Sequence, residues 1–207
     1  MFPSEGDKVQ LAGTLTLPPG RKNFPTAILI TGSGPQNRDE EFMTHKPFLV
    51  LADHLTKSGI AVLRYDDRGF AQSTGSHERA TSADFANDVR AAIAYLKTRK
   101  EIDKSRIGLV GHSEGGLIAT LVATDTQVAF IVLLAAPGVS GTRILLKQTE
   151  SITRSQGVAE ASVQRALKIN QDIFELFYQY GDEDSFETRL KGYLNGVISP
   201  DVLPQGM

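Results

Sequence analysis

The chain has 207 residues, no cysteine and a formal net charge of −2, with 41% hydrophobic and 22% charged residues. This composition is typical of a folded globular domain and disfavours a disordered chain or a membrane protein. The near-neutral charge and the lack of a long basic run predict no nucleic-acid partner. Without cysteine, disulfides, thiolate metal sites and a cysteine nucleophile are excluded. No signal peptide is visible, and nothing in the sequence predicts the compartment or the oligomeric state.

The first two thirds of the chain alternate short apolar runs with helical patterns. Residues 8–17 alternate in polarity, which predicts an outer, half-exposed strand or hairpin. Residues 27–30, 61–63, 107–110 and 130–134 are continuous apolar runs, typical of strands buried on both faces of a parallel sheet. Helices are predicted from Pro47 to a stop at Gly59, after a capping sequence at Thr81, and from Gly115. This alternation predicts a doubly wound α/β sheet up to about Pro137.

After Gly138 the pattern becomes helical. Apolar residues recur at helical spacing in residues 144–152, 166–177 and 186–194, with glycines at 157 and 181 as predicted stops. The third helix is predicted to open at Asp184. We therefore predict two parts: residues 1–138 as a partial α/β core, and residues 139–207 as a helical cap or insertion.

A glycine-rich segment, residues 111–116 (GHSEGG), stands between a predicted strand and a predicted helix. Gly-x-Ser-x-Gly in this setting is the signature of a nucleophile elbow, a tight turn that exposes a serine hydroxyl at the end of a sheet. The serine adopts a strained backbone conformation, and the positions two before and two after it crowd each other. Glycine is therefore required at Gly111 and Gly115. We predict that Ser113 is a nucleophile rather than part of an inert turn.

A hole for the oxyanion needs two backbone N–H groups. The N–H of Glu114, directly after the predicted nucleophile, is one. The other is expected from the loop of residues 31–36, which follows an earlier buried strand. Its glycines, Gly32 and Gly34, let the backbone approach a ligand closely. A dinucleotide loop and a P-loop are excluded, because no third glycine opens a helix and no Gly-Lys-Ser/Thr follows. The predicted second donor is the N–H of Ser33, with that of Gly34 as the alternative.

Four motifs resemble a known family when taken in this order: residues 32–39 (GSGPQNRD), 45–48 (HKPF), 65–69 (YDDRG) and 111–116 (GHSEGG). They are similar to those of bacterial α/β-hydrolases of the EstD-like carboxylesterase group, near the serine-aminopeptidase-like and dienelactone-hydrolase-like branches. The resemblance covers residues 9–140 well and the helical tail only loosely. It implies the α/β-hydrolase fold, a serine esterase favouring short acyl chains, and a helical cap after the last predicted strand. Ala71 departs from the family, which usually has glycine there.

A hydrolytic triad on this fold runs serine, then Asp or Glu, then histidine along the chain. The four histidines, His45, His54, His77 and His112, all precede Ser113 and are predicted to be surface or supporting residues. No later carboxylate follows a predicted buried strand. We therefore expect a fragment that ends before the last core strands, lacks the acid and the base, and has at most trace activity alone.

Two functions of different classes remain open. The leading hypothesis is a serine hydrolase that acts on small-molecule carboxylic esters through an acyl-enzyme, with peptidase or thioesterase chemistry possible on the same fold. The alternative is a non-catalytic hydrolase-like scaffold that binds a ligand or partner. The serine turn and the oxyanion loop favour the enzyme, and the missing acid and base favour the scaffold. No cluster of histidines and carboxylates has metal-ligand spacing, so neither a metal nor another cofactor is predicted.

Overall fold

The computed structural model describes residues 1–4, 8–20 and 22–197. The chain divides into two compact units, Met1–Pro137 and Gly138–Met207. Within the described residues, none of the helices combines the length and the apolar character that crossing a bilayer requires.

The first unit is built on a mostly parallel five-stranded sheet. Its strands and helices are β1 (Phe2–Ser4), β2 (Val9–Leu11), β3 (Gly13–Thr16), β4 (Phe24–Ile30), α1 (Pro47–Lys57), β5 (Ala61–Tyr65), α2 (Ser82–Thr98), β6 (Ile102–His112), α3 (Glu114–Ala123) and β7 (Ile131–Leu134). The strand order is β3-β5-β4-β6-β7, and only β3 runs antiparallel to its neighbour. Strands β1 and β2 form a separate antiparallel pair. The mostly parallel sheet predicted from the alternation of strands and helices is confirmed.

Helices cover both faces of this sheet, which explains the continuous apolar strands. Ile28 and Ile30 of β4 belong to a cluster with the apolar faces of α2 and α3. Ala27 and Leu29 of the same strand belong to a second cluster with α1. Because successive side chains of a strand point to opposite faces, a strand covered on both sides must be apolar throughout. Helix α2 begins with the capping box predicted at Thr81.

Two parts of the sheet differ from the sequence prediction. Residues 8–17 do not form one outer strand: β2 pairs with β1, which was not predicted, whereas β3 pairs with β5. Strand β7 is not buried on both faces, since Ile131, Val132, Leu133 and Leu134 are 36% to 48% exposed. Within the described residues β7 pairs only with β6, so one of its edges has no strand partner. The prediction for β7 failed because a central strand and an apolar edge strand have the same sequence pattern.

The second unit consists of α4 (Gly141–Ser155), α5 (Glu160–Tyr180) and α6 (Phe186–Val197). Three helices were predicted here, but α6 begins at Phe186, two residues after the predicted start at Asp184. Side-chain hydrogen bonds tie the helices together: Tyr193 donates to Asp172, and Asn170 donates to Thr149. Within the described residues Val163 is the one buried hydrophobic side chain of this unit. Its helices are therefore amphipathic elements with little core between them.

The turn after β5 holds an alanine in a left-handed conformation. Ala71 has φ 47°, where a Cβ is costly for any residue other than glycine. We expect Ala71→Gly to raise the free energy of unfolding by up to about 1 kcal/mol, despite the extra freedom that glycine gives the unfolded chain. Ala94→Gly, at an exposed position of α2, is the matched control and should lower it by about 1 kcal/mol. Urea-induced unfolding measures the free energy of unfolding of both variants. If glycine lowers it by the same amount at both positions, the prediction is wrong.

Candidate active site

The predicted nucleophile lies on a strained turn at the carboxyl end of β6. Ser113 stands between β6 and α3 with φ 51° and ψ −119°, a conformation that a residue with a side chain rarely adopts. Its N–H donates to the carbonyl of Leu134 on β7 at 2.9 Å, and its carbonyl accepts from the N–H of Gly116 at 3.0 Å. The turn is thus fixed on one side by the neighbouring strand and on the other by the first turn of α3.

Close backbone approach explains the glycines around this turn. A Cβ on Gly111 would overlap the carbonyl group of Gly115, which is the crowding between the two positions expected from the sequence. A Cβ on Gly115 would overlap the carbonyl of Ile30 at the end of β4, and one on Gly116 would overlap the side chain of Ala136. The three glycines therefore let the start of α3 pack directly against the ends of its neighbouring strands.

The predicted oxyanion loop lies beside this turn. A Cβ on Gly32 would be 3.3 Å from the Cβ of Ser113, so the two segments are in near contact. Ser33 and Gly34 follow on the exposed side of the loop. Within the described residues, neither the N–H of Ser33 nor that of Glu114 donates a hydrogen bond, so both are available to a ligand. The structure brings these residues together, and their role as oxyanion donors stays a prediction.

Glu40 joins the loop to the turn, a link that no sequence pattern predicted. Its Oε1 accepts hydrogen bonds from the N–H of Gly32 at 2.8 Å and from Nδ1 of His112 at 2.7 Å. An ionised carboxylate only accepts hydrogen bonds, so the imidazole places its proton on Nδ1 in this pair. His112 is therefore a supporting residue, as predicted. The partner was missed because Glu40 lies in a loop with no recognisable motif.

Three consecutive residues directly after β5 each bond to a different segment of the chain. They are Asp66, Asp67 and Arg68. Asp66 accepts from the Arg38 side chain at 2.7 and 2.9 Å and from its backbone N–H at 2.8 Å. Arg38 does not pair with its chain neighbour of opposite charge, because Asp39 pairs with Arg64 of β5 instead. Burial acts to raise the pKa of Asp66, but the hydrogen bonds from Arg38 outweigh it and hold that pKa below its ordinary value.

Asp67 holds both ends of the oxyanion loop. Its carboxylate accepts from the Thr31 hydroxyl at 2.7 Å and from the N–H of Gln36 at 2.8 Å. Burial raises the pKa of Asp67 to about 7, and the nearby charges of Asp88 and Asp66 add to this effect. These contacts fix residues 31 and 36 and thereby restrict the loop between them, so Asp67 braces this loop.

Arg68, the third residue, points to α2. Its Nε and Nη2 donate to the two carboxylate oxygens of Asp88 at 2.7 and 2.8 Å, and Nη2 also donates to the carbonyl of Asp84. The Arg68 and Asp88 side chains are both buried, and Asp88 further accepts from the Ser4 hydroxyl at 2.6 Å. This two-point ion pair joins the turn after β5 to α2 and β1.

A small cavity lies behind the oxyanion loop. Residues of several segments line it, among them Gly32, Asp67, His77 and Glu114. The Glu114 carboxylate is held there by the Ser82 hydroxyl at 2.6 Å, while the His77 ring is half-buried against Phe85. The cavity therefore brings polar groups next to the candidate donor at Glu114.

The Ser113 hydroxyl stands apart from the histidines. Within the described residues, which include all four histidines of the chain, none hydrogen-bonds to the Ser113 side chain. The same residues contain no group of three or more histidines and carboxylates that could hold a metal ion. The arrangement thus consists of an accessible hydroxyl, two available N–H groups and a helix N-terminus.

A family match covers the Ser113 turn of this arrangement. The sequence profile of the family described as "Serine aminopeptidase, S33" matches residues 45–174, which include the Ser113 turn and more than half of the chain. The chain belongs to this α/β-hydrolase family. The resemblance to the EstD-like group is confirmed as well, since this α/β-hydrolase is 31% identical over 163 residues to esterase EstD of Thermotoga maritima.

The α/β-hydrolase covers only part of its relatives. The match to EstD spans 79% of this chain and 39% of the Thermotoga protein. Est1E of Butyrivibrio proteoclasticus, solved with ferulic acid bound, aligns with a TM-score of 0.56 at 23% identity over 75% of this chain and 56% of its own. The Pyrococcus furiosus esterase Pf2001 aligns with a TM-score of 0.58 at 21% identity over 79% and 59%. These structures confirm the predicted fold.

Proposed function

We propose that this α/β-hydrolase chain carries the nucleophile of a serine hydrolase that cleaves small-molecule carboxylic esters through an acyl-enzyme. One observation carries the proposal: Ser113 occupies a strained turn at the carboxyl end of a central strand, in near contact with a loop whose N–H groups are unengaged. A turn that costs conformational energy at a serine is expected where the hydroxyl must be presented to a ligand.

The proposed reaction begins with attack of the Ser113 hydroxyl oxygen on the acyl carbonyl, while a general base takes the hydroxyl proton. The carbonyl oxygen becomes an oxyanion, which accepts hydrogen bonds from the N–H groups of Ser33 and Glu114. The positive end of the α3 dipole acts in the same direction. Collapse of the tetrahedral intermediate expels the alcohol and leaves Ser113 acylated. Water then attacks the acyl group and releases the acid.

Ester substrates fit this site better than peptides. An amide nitrogen leaves only after it is protonated, whereas a good alcohol or phenol leaves without a well-placed acid. Within the described residues no acid hydrogen-bonds to Ser113. The names of two similar proteins, EstD and Pf2001, also describe esterases. The family description instead favours peptide cleavage as a second candidate, which an aminoacyl p-nitroanilide tests in parallel with p-nitrophenyl acetate.

Covalent labelling tests the nucleophile directly. We expect a fluorophosphonate probe to label the full-length protein at Ser113, identified by peptide mapping, and Ser113→Ala to abolish both labelling and p-nitrophenyl acetate hydrolysis. The 207-residue chain alone should show at most trace hydrolysis. Ser151→Ala, at an exposed position of α4, is the matched control and should change neither. Undiminished labelling or hydrolysis in Ser113→Ala would refute the assignment. Failure to label the unaltered protein would favour the non-catalytic scaffold. A Ser113 hydroxyl with no histidine bonded to it would then be the functional state of the protein.

A further inference from the structure

We infer that Glu40 is a positioning residue that holds the oxyanion loop against the Ser113 turn through a single carboxylate oxygen. The inference rests on the proposed function, since it assigns Glu40 a part in presenting the oxyanion donors. The Glu40 carboxylate does not touch the substrate in this role. It acts through the N–H of Gly32 and the imidazole of His112.

The contacts show a three-way junction. The Glu40 Oε1 receives the Gly32 N–H at 2.8 Å and the His112 Nδ1–H at 2.7 Å, while Gly32 itself lies against Ser113. A Cβ on Gly32 would be only 3.2 to 3.4 Å from the His112 ring, Ser113 and Glu40, so the three groups surround this glycine closely. A shift of Glu40 therefore moves the loop and the turn relative to each other.

Glu40 is itself held in an unfavourable backbone conformation. It is 8% exposed and has φ 52°, which is rare for a residue with a side chain. Its N–H donates to the carbonyl of Asn37 at 2.9 Å, and the Asn37 side chain accepts from the N–H of Asp39 at 3.0 Å. The Asp39 carbonyl accepts from the N–H of Phe48 in α1. A strained backbone kept in place from both sides is expected where a side chain has a fixed task.

The junction also determines which N–H groups remain for a ligand. Because the Gly32 N–H is used by Glu40, the peptide plane between Thr31 and Gly32 is fixed, and among the described residues the N–H groups of Ser33 and Gly34 remain for a ligand. Donors that are fixed before the substrate arrives need no reorganisation during the reaction, which is the basis of oxyanion stabilisation. Loss of the Glu40 acceptor should thus reduce the rate of attack more than the binding of substrate.

The test compares Glu40→Ala, Glu40→Gln and Glu41→Ala by the rate of fluorophosphonate labelling at Ser113. We expect Glu40→Ala to lower the maximal labelling rate by a factor on the order of 10 to 100, with a smaller change in the probe concentration that gives half this rate. Glutamine keeps one oxygen able to accept both hydrogen bonds, so Glu40→Gln should recover most of the rate. Glu41→Ala, at an exposed neighbour paired with Lys46, should label like the unaltered protein.

A spectroscopic measurement separates this inference from the proposed function. ¹⁵N chemical shifts of His112 should show the neutral ring protonated at Nδ1 in the unaltered protein and in Glu40→Gln. In Glu40→Ala the proton should move to Nε2, at least in part. An unchanged labelling rate in Glu40→Ala, or an unchanged His112 tautomer, would overturn the role of Glu40. If the unaltered protein is not labelled at all, the proposed function fails. The tautomer of His112 in the unaltered protein and in Glu40→Ala then decides by itself whether Glu40 joins Gly32 to His112.

Discussion

Asp88→Ala should lower the free energy of unfolding by about 3–5 kcal/mol, the largest stability effect expected of any substitution considered for this protein. Asp88 is 1% exposed and accepts two hydrogen bonds from Arg68 and one from Ser4. The substitution removes the carboxylate that accepts two hydrogen bonds from the buried guanidinium, so the desolvation of that charge is offset less completely. It also removes one contact between β1 and α2, since the Ser4 hydroxyl loses its acceptor.

Urea-induced unfolding measures the effect, and the surface pair Arg90–Asp125 supplies the control. Asp125 accepts from Arg90 with similar two-point geometry, at 2.7 and 3.1 Å, but both side chains are substantially exposed. Asp125→Ala should therefore cost less than about 1 kcal/mol. Losses of equal size in the two variants would mean that burial does not set the contribution of Asp88, and the prediction would then be wrong.

Asp67 should make the stability of the protein fall as the pH rises from about 4 to about 7. Its pKa is about 7 in the folded chain, mainly because of burial, against an ordinary value of 3.8. Between these values the folded state keeps a proton that the unfolded state has lost, so raising the pH favours unfolding. The stabilisation is fully present below the unfolded pKa and is lost by the time the pH passes the folded pKa. Since each unit of pKa difference between the folded and unfolded states corresponds to about 1.36 kcal/mol, the free energy of unfolding falls by about 4 kcal/mol in full.

The difference between the unaltered protein and Asp67→Asn isolates this group from the other carboxylates. Asparagine can accept from the Gln36 N–H through its oxygen and donate to the Thr31 hydroxyl through its amide nitrogen, so the loop keeps both contacts. We expect the stability of Asp67→Asn relative to the unaltered protein to increase between pH 4 and pH 7 and to level off above that. A stability difference that stays constant over this range would refute the raised pKa of Asp67.

Local patterns predicted most of the secondary structure because each depends on neighbouring residues. The capping box at Thr81, the stop at Gly59 and the alternation of apolar strands with helices all lie within short segments. The exposure of β7 and the pairing of β1 with β2 could not be predicted in this way. Both depend on which other segment lies next to the strand, and an apolar run such as residues 131–134 looks the same in the centre of a sheet and at its edge.

The same distinction separates the predicted from the unpredicted parts of the site. The crowding between Gly111 and Gly115 could be predicted because it arises within the short segment of residues 111–115. The pairing of Glu40 with His112, of Arg38 with Asp66 and of Asp39 with Arg64 could not, since the two members of each pair lie 25 or more residues apart. Arg38 and Asp39 are neighbours of opposite charge, yet they point to different partners on and after β5. Sequence proximity was therefore a misleading guide to ion pairing in this loop.

The packing of the Ser113 turn has a consequence at the level of the gene. Any missense change in a glycine codon adds at least a Cβ, and at Gly111, Gly115 and Gly116 that atom would overlap a neighbouring carbonyl group or side chain. At Gly138 and Gly192 the same change meets no neighbouring atom within 4 Å. At these two positions of the helical unit substitution is therefore sterically unopposed, whereas at the Ser113 turn selection must act on the first added carbon.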